Sequence, residues 1–173
     1  MTLYNDYRDA IKTGDMLLFR NHPGGGIRAR IERWLVTVFT QSIYTHVGLA
    51  WVDGDRRVWV MDITTKGCAP RLLSKVGDFD LIPCPRPLSS YALRYAHDCF
   101  GEWQYSRLQA VLGFCKALAI GKDAYGQCAE YVIAVLRMDG MAPTNIATPA
   151  ACAKGAQAKW HNPILTISNE GRK

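Results

Sequence analysis

The chain has 173 residues and a mass of 19.3 kDa, with 49% hydrophobic and 21% charged residues. These values exclude a disordered, collagen-like or coiled-coil chain and predict one globular domain over residues 1–173. The formal net charge of +6 favours anionic partners, such as an acidic polymer or a lipid surface. Because the basic residues are scattered and no nucleic-acid-binding motif is present, we expect no nucleic-acid partner.

Location and cofactors are predicted from patterns that the sequence lacks. No apolar run approaches the roughly 20 residues of a membrane-spanning helix, and the first residues do not resemble a signal peptide. We therefore expect a soluble protein made in the cytoplasm, with no transmembrane segment. The six cysteines form no C-x-x-C pair and do not group with histidines at metal-ligand spacing. We expect reduced thiols, no metal and no cofactor.

The first half of the chain predicts mainly strands. Apolar runs bounded by turn residues predict strands at 16–20, 45–52, 57–64 and 79–84, after a short helix at 3–11. A glycine-rich loop at 21–26 leads to a basic amphipathic helix at 27–40. The apolar side of that helix either packs on the core or lies on a membrane surface, and the sequence leaves both readings open.

The second half of the chain predicts helices. Apolar residues recur at helical spacing over 89–100, 105–119 and 128–137, and a further short helix is predicted at 150–160. Gly101 and Gly121 separate the first three of these segments. A run of strands followed by a run of helices predicts an α+β domain.

Cys128 is the cysteine whose local sequence suggests chemistry. It follows a glycine-containing turn and begins the predicted helix at 128–137. A thiol at a helix N-terminus is stabilised as thiolate by the helix dipole, and the free backbone N–H groups there can receive an oxyanion. The alternative is that Cys128 is a small buried hydrophobic residue, as free cysteines often are.

His46 is the best candidate for the base that a cysteine nucleophile needs. It lies at the start of the predicted strand at 45–52 and shares one face with Gly48 and Ala50, whose small side chains leave room for another element. The alternative is a partly buried histidine held by one hydrogen bond.

Asp62 supplies an acid on the neighbouring strand. A hairpin turn centred on Gly54 pairs His46 directly with Asp62, with Cβ atoms roughly 5 Å apart. The acid shares its face with Val58 and Val60 and interrupts an apolar stripe. A carboxylate there orients an imidazole and favours its cation. The alternative is an acid at the strand end that faces solvent.

These segments together resemble the permuted NlpC-type papain-like cysteine hydrolases of the YiiX/YaeF group. The segments that carry the resemblance are GDMLLF at 14–19, YTHVGL at 44–49, VMD at 60–62, GEWQY at 101–105, CAEYV at 128–132 and TPA at 148–150. They span roughly residues 11–160 and occur in the order of that group. The order differs from that of ordinary NlpC peptidases, in which the cysteine comes first.

The resemblance implies a circularly permuted papain-like fold, with a small antiparallel sheet or half-barrel packed against helices. It makes Cys128 the nucleophile, His46 the base and Asp62 the orienting acid. The sequence departs from the group in two places. The acid is Asp62 where Glu is usual, which shortens its reach to the histidine, and Tyr131 stands where Leu is usual.

The implied activity is acyl-enzyme chemistry on amide bonds, with a cell-wall peptide as the expected substrate. Tyr44 and Gln127 flank the histidine and the cysteine and either contact substrate or serve packing and capping. A lipid-directed acyltransferase or esterase, a binding module without activity and, more weakly, a zinc–thiolate site remain alternatives. A wall enzyme without a signal peptide needs cell lysis, a phage or a secretion machine to reach its substrate.

Overall fold

The computed structural model describes residues 2–20, 43–64, 67–105, 125–126 and 128–169 and has an α+β architecture. Its strands are β1 (Thr2–Leu3), β2 (Met16–Arg20), β3 (Tyr44–Val52), β4 (Val58–Thr64), β5 (Gly67–Leu72), β6 (Phe79–Ile82), β7 (Gln104–Tyr105), β8 (Tyr125–Gly126) and β9 (Leu165–Ser168). The helices in the described ranges are α1 (Tyr4–Tyr7), α2 (Ser90–Asp98), α3 (Cys128–Met138) and α4 (Pro149–Trp160), with 3-10 turns at Arg8–Ala10 and Leu73–Lys75.

Seven of these strands form one sheet in the order β1-β9-β6-β2-β3-β4-β5, and β7 pairs separately with β8. Neighbouring strands of the large sheet are antiparallel, except that β1 runs parallel to β9. The small antiparallel sheet that we expected is therefore a larger, mixed one. The order brings β3, β4 and β5 together at one side of the sheet, where the candidate site lies.

The strands predicted at 16–20, 45–52, 57–64 and 79–84 are confirmed as β2, β3, β4 and β6, within two residues at each end. The helices predicted at 89–100, 128–137 and 150–160 are confirmed as α2, α3 and α4. The region predicted as one helix at 3–11 contains the last residue of β1, the short α1 and a 3-10 turn. The predicted helix at 27–40 lies outside the described residues, as does most of 105–119, whose first residue belongs to β7.

Side-chain caps explain where two of these helices begin. The Ser89 side chain accepts a hydrogen bond from the backbone N–H of Ala92 at the start of α2. Thr148 caps α4 in the same way, and Pro149 occupies the first helical position, where its missing N–H costs nothing. Helix α4 ends at His161, whose left-handed backbone (φ 57°) stops the helix.

The two-residue strands β1, β7 and β8 and the longer β5 and β9 were not predicted. Strand β5 contains Pro70, which argues against a strand in the interior of a sheet, but β5 is an edge strand, where a missing N–H is tolerated. Strand β9 has only four residues and follows a tail rich in small and polar residues. Its pairing with β6 and β1, rather than its own composition, fixes it as a strand.

The hairpin between β3 and β4 has a different register from the predicted one. The N–H of Asp53 bonds to the carbonyl of Arg57 at 3.0 Å, and Arg56 adopts a left-handed conformation (φ 58°). The turn is therefore a three-residue loop centred on Asp55 rather than on Gly54. The direct pairing of His46 with Asp62 was wrong by two residues. Because a register shift of two residues leaves every side chain on the same face of the sheet, His46 and Asp62 stay on the predicted face.

Two clusters of buried apolar side chains lie on opposite faces of the sheet, as strand alternation requires. The first joins the sheet to α2, α3 and α4 through residues such as Val47, Leu49, Met61, Val132 and Ala153. The second covers the other face with residues such as Leu17, Phe19, Ala50, Val60 and Leu81. Within the described ranges, none of the helices has both the length and the apolar content to cross a membrane.

Candidate active site

Cys128 is the first residue of α3 and is 8% exposed. Helix α3 packs against β3 and β4, and the buried side chains of Ala129 and Val132 hold its first turns in the core. The first backbone N–H groups of a helix have no acceptor within the helix, and the positive end of its dipole lies there. This position therefore provides donors for a developing oxyanion.

His46 lies near the start of β3, with 23% of its side chain exposed. Its Nε2 atom lies 2.7 Å from Oδ2 of Asp62, and the Cys128 side chain lies close enough to raise the pKa of the imidazole. Because Asp62 occupies Nε2, Nδ1 is the ring nitrogen left for the thiol. Phe19 of β2 packs against the imidazole, with 5.6 Å between ring centroids. Three side chains from β3, β4 and α3 thus form one connected row.

His46 and Asp62 meet diagonally across the two strands rather than face to face. The observed register, continued by one residue, sets Gly48 beside Asp62. A Cβ atom on Gly48 would lie 3.1 Å from the Cβ of Asp62 and 2.9 Å from Cγ1 of Val60. Since glycine leaves this space open, the carboxylate can pass it and reach the histidine two residues away on the same face.

Arg71 of β5 approaches Asp62 from the other side. Its Nε donates to Oδ1 at 3.2 Å, and its Nη2 donates to Oδ2, the oxygen that also contacts His46. The direct β5 partner of Asp62 is Ala69, whose small side chain leaves room for the arginine. Sequence reasoning missed Arg71 because β5 was not predicted. Had β5 been recognised, its register would have placed an arginine two residues beyond Ala69, the residue opposite Asp62. An arginine at such a position is a natural partner for a buried acid.

The electrostatics of the row favour a charged histidine beside a charged aspartate. Burial is the largest influence on the pKa of His46 and lowers it. The negative charge of Cys128 and the hydrogen bonds to Asp62 and Cys128 outweigh burial and raise this pKa to about 10. For Asp62 burial acts in the opposite direction and raises the pKa. The hydrogen bonds and charges of His46 and Arg71 outweigh burial and lower the pKa of Asp62 below its ordinary value.

Tyr44 is one of the two residues predicted either to contact substrate or to serve packing and capping. The Tyr44 hydroxyl donates to Oδ2 of Asp80 at 2.8 Å, and the ring is only 8% exposed. Burial, followed by the Asp80 hydrogen bond and charge, raises the pKa of Tyr44 to about 12. Arg20 donates two further hydrogen bonds of 2.9 Å to the same carboxylate. Gln127 lies outside the described residues.

The donor atoms of the site do not suit a metal ion. Among residues 2–20, 43–64, 67–105, 125–126 and 128–169, no group of three or more His, Cys, Asp or Glu side chains is arranged to hold one. The Asp62 carboxylate is already shared between the imidazole of His46 and the guanidinium of Arg71. A metal cation would have to displace the arginine or share the acid with it, which like charges oppose.

The sequence matches no protein-family model and no curated protein. Among solved structures it is similar to the crystal structure of the metalloprotein YiiX from Escherichia coli O157:H7, described as DUF1105. The identity is 17%, the TM-score is 0.55, and the match covers 91% of this chain and 88% of that one. The chain has a YiiX-like fold. The neighbour belongs to the YiiX/YaeF-like group that the sequence motifs resemble; at this identity the likeness establishes the fold alone.

Proposed function

We propose that the chain is a cysteine hydrolase of the permuted papain-like type that cleaves amide bonds through an acyl-enzyme. The observation that carries the proposal is the position of the His46 imidazole. It is hydrogen-bonded to the buried Asp62 carboxylate at 2.7 Å, and it lies close enough to Cys128, at a helix N-terminus, for the charge of that group to raise its pKa. Nucleophile, base and orienting acid are the three groups that such chemistry requires.

In the acylation step, the Cys128 thiolate attacks the carbonyl carbon of the amide and forms a C–S bond. Backbone N–H groups at the start of α3 stabilise the oxyanion. The C–N bond then breaks as the imidazolium of His46 transfers its proton to the departing amine. Because the pKa of His46 is raised to about 10, with burial opposing and the Cys128 charge and Asp62 favouring the cation, this proton is present at neutral pH.

In the deacylation step, the neutral His46 imidazole takes a proton from water while the water oxygen attacks the thioester carbonyl. The C–S bond breaks, the carboxylic acid leaves, and the thiolate–imidazolium pair is restored. Asp62 keeps its proton-free form throughout and holds the ring in the orientation that serves both steps.

We propose a cell-wall peptide as the substrate class to test first. Support comes from the resemblance of the sequence motifs to NlpC-type hydrolases and from the net charge of +6, which suits an anionic polymer. An anionic lipid surface is compatible with the same charge. Wall fragments and phospholipid vesicles are therefore two arms of one assay, and product in the vesicle arm alone contradicts the peptide assignment.

The YiiX neighbour is described as a metalloprotein, which makes metal dependence a necessary control. We propose that this chain works without a metal, because Asp62 is paired with Arg71 and with His46. Activity that disappears with a chelator and returns with zinc contradicts this part of the proposal.

The first experiment measures alkylation of each cysteine by iodoacetamide across pH, followed by mass spectrometry. Burial raises the pKa of four other cysteines, to about 12 for Cys68 and Cys152 and to about 11 for Cys84 and Cys99. These four are internal controls that should not react near pH 6. We expect Cys128 to react there.

Two histidine variants give that experiment its contrast. His46→Ala should slow Cys128 alkylation near pH 6 at least about tenfold, because the imidazolium that stabilises the thiolate is gone. His161→Asn removes an exposed imidazole at a position whose left-handed backbone asparagine tolerates, and should change nothing. If Cys128 reacts no faster than the buried cysteines, the hydrolase proposal fails.

The nucleophile itself is tested by Cys128→Ser, which should abolish turnover of any substrate found. Unchanged turnover in this variant also contradicts the hydrolase proposal.

A further inference from the structure

We infer that Arg71 is a positioning residue of the active site, which fixes the Asp62 carboxylate so that its Oδ2 atom faces His46. The inference deepens the proposed function and rests on it. Arg71 belongs to none of the motifs that carry the sequence resemblance, and it reaches the site only because β5 pairs with β4.

The contacts leave the carboxylate one orientation. Arg71 donates to both oxygens of Asp62, through Nε to Oδ1 at 3.2 Å and through Nη2 to Oδ2. His46 Nε2 shares Oδ2. A bidentate guanidinium lies in the plane of the carboxylate and prevents its rotation. Any rotation that breaks the histidine contact also breaks an arginine contact, so Arg71 and His46 align the acid together.

The packing around the row requires such a support. Asp62 lies between Gly48 on β3 and Ala69 on β5, neither of which has a side chain long enough to hold it. His46 and Arg71 approach from opposite diagonals, so the three side chains cross three strands in one oblique line. The open flanks admit both partners and provide no other hydrogen bond to the carboxylate.

The charge of Arg71 matters most when His46 is neutral. The Asp62 side chain is fully buried, whereas Arg71 is 41% exposed. After His46 has given its proton to the leaving group, a buried aspartate without another cation would recover a proton from its surroundings. The guanidinium, which stays charged at all working pH values, keeps the carboxylate ionised, so that Asp62 continues to accept the Nε2 N–H of the neutral imidazole.

The other titratable groups near the acid do not take this role. Among the described residues these are Cys68 of β5 and Tyr131 of α3, while Cys128 faces His46. Burial is the main cause that raises the pKa of Cys68 to about 12 and the pKa of Tyr131 above its ordinary value. Both stay neutral below pH 9 and supply no cation, which leaves Arg71 and His46.

The test compares Arg71→Gln with Arg20→Gln. Arg20 grips Asp80 with the same two-bond geometry, and Asp80 is as buried as Asp62, but its remaining partner is Tyr44 rather than the histidine. Both variants remove one arginine from a buried aspartate, so a merely structural role predicts similar losses of Tm and similar, unchanged pH profiles. Each full-length variant is measured for Tm, for Cys128 alkylation against pH, and for the His46 ring titration by NMR.

We expect Arg71→Gln to move the acid-side midpoint of alkylation and the His46 midpoint upward by about one pH unit, because a nearby cation is lost. Alkylation below the midpoint should then be about tenfold slower than in the parent. Arg20→Gln should leave both midpoints in place. Arg71→Lys keeps the charge but loses the bidentate hydrogen bonding. It should restore the midpoints of alkylation and of the His46 titration, with incomplete recovery of the alkylation rate. Midpoints of Arg71→Gln that coincide with those of Arg20→Gln overturn the inference.

Two further outcomes stay distinguishable. If the parent shows no fast Cys128 alkylation, the proposed hydrolase fails, while the His46 titration still reports whether Arg71 acts on it through Asp62. If Arg71→Gln does not fold, Arg71→Lys is compared with Arg20→Lys. A loss of alkylation rate of about threefold or more that is confined to Arg71→Lys supports the inference, and equal rates in the two lysine variants overturn it.

Discussion

Gly48→Ala tests the diagonal contact on which the site depends. The substitution adds one methyl group between β3 and β4, directly beside Asp62. That methyl carbon would lie 2.9 Å from Cγ1 of Val60, and 3.1 Å from both the Cβ of Asp62 and the carbonyl oxygen of Met61. Ordinary contacts between such atoms start near 3.5 Å, so each neighbour must move by a few tenths of an ångström.

None of these neighbours can move freely, because Val60, Met61 and Asp62 are all completely buried. Overpacking of this size in a buried site costs about 1–3 kcal/mol. In a chain of this length, that loss corresponds to a fall in Tm of roughly 3–10 °C. The displacement also pushes Asp62 away from His46, so Cys128 alkylation near pH 6 should slow together with the loss of stability.

Gly54→Ala is the matched control, because a Cβ added at that turn meets nothing within 4 Å. It should leave Tm unchanged or raise it slightly, since alanine has less freedom in the unfolded chain. Tm is measured by circular dichroism and alkylation by mass spectrometry. A Gly48→Ala protein as stable and as reactive as the Gly54→Ala protein would refute the packing argument.

Two other substitutions test neighbouring features. Tyr44→Phe should lower the free energy of unfolding by about 1–2 kcal/mol, because Asp80 loses a buried hydrogen bond; unchanged stability with weaker substrate binding would instead favour the contact predicted from sequence. His97 is packed between Trp51 and Phe100, its buried Nε2 has no partner within the described part of the chain, and burial lowers its pKa. The unfolded chain therefore binds a proton at His97 more readily than the folded protein does. The free energy of unfolding should fall as pH drops through about 6.5, and it should fall less in His97→Leu. Urea unfolding at several pH values measures both.

The strands that build the site were predictable because their side chains alternate strongly. Strands β3 and β4 carry apolar residues such as Val47 and Met61 towards the helices, and Ala50 and Val60 lie on the other face. Their existence and the shared face of His46 and Asp62 could therefore be read from the strand period of two. The register of the two strands could not be read from the pattern. It depends on the left-handed backbone of Arg56, a conformation uncommon for a residue with a side chain.

The contacts beyond β4 were unpredictable for a different reason. Strand β5 holds a glycine, a proline and an arginine, which favour no element, and its pairing with β4 determines its structure. The Arg71 contact with Asp62 therefore follows only from tertiary structure. For Tyr44 the sequence left a substrate contact and a packing role open, and the shift in register after Phe19, which the pattern did not predict, leaves its hydroxyl bonded to Asp80.

The position of β9 has a consequence for how the protein is made. Thr2 of β1 pairs with Ile167 of β9, and β9 also pairs with β6, so this late strand is inserted between two much earlier ones. On a ribosome, β1 and the free side of β6 remain without that partner until nearly the whole described chain has emerged. Two strand edges are then open to other nascent chains. We expect truncation before Leu165 to give an aggregating product rather than a smaller soluble one.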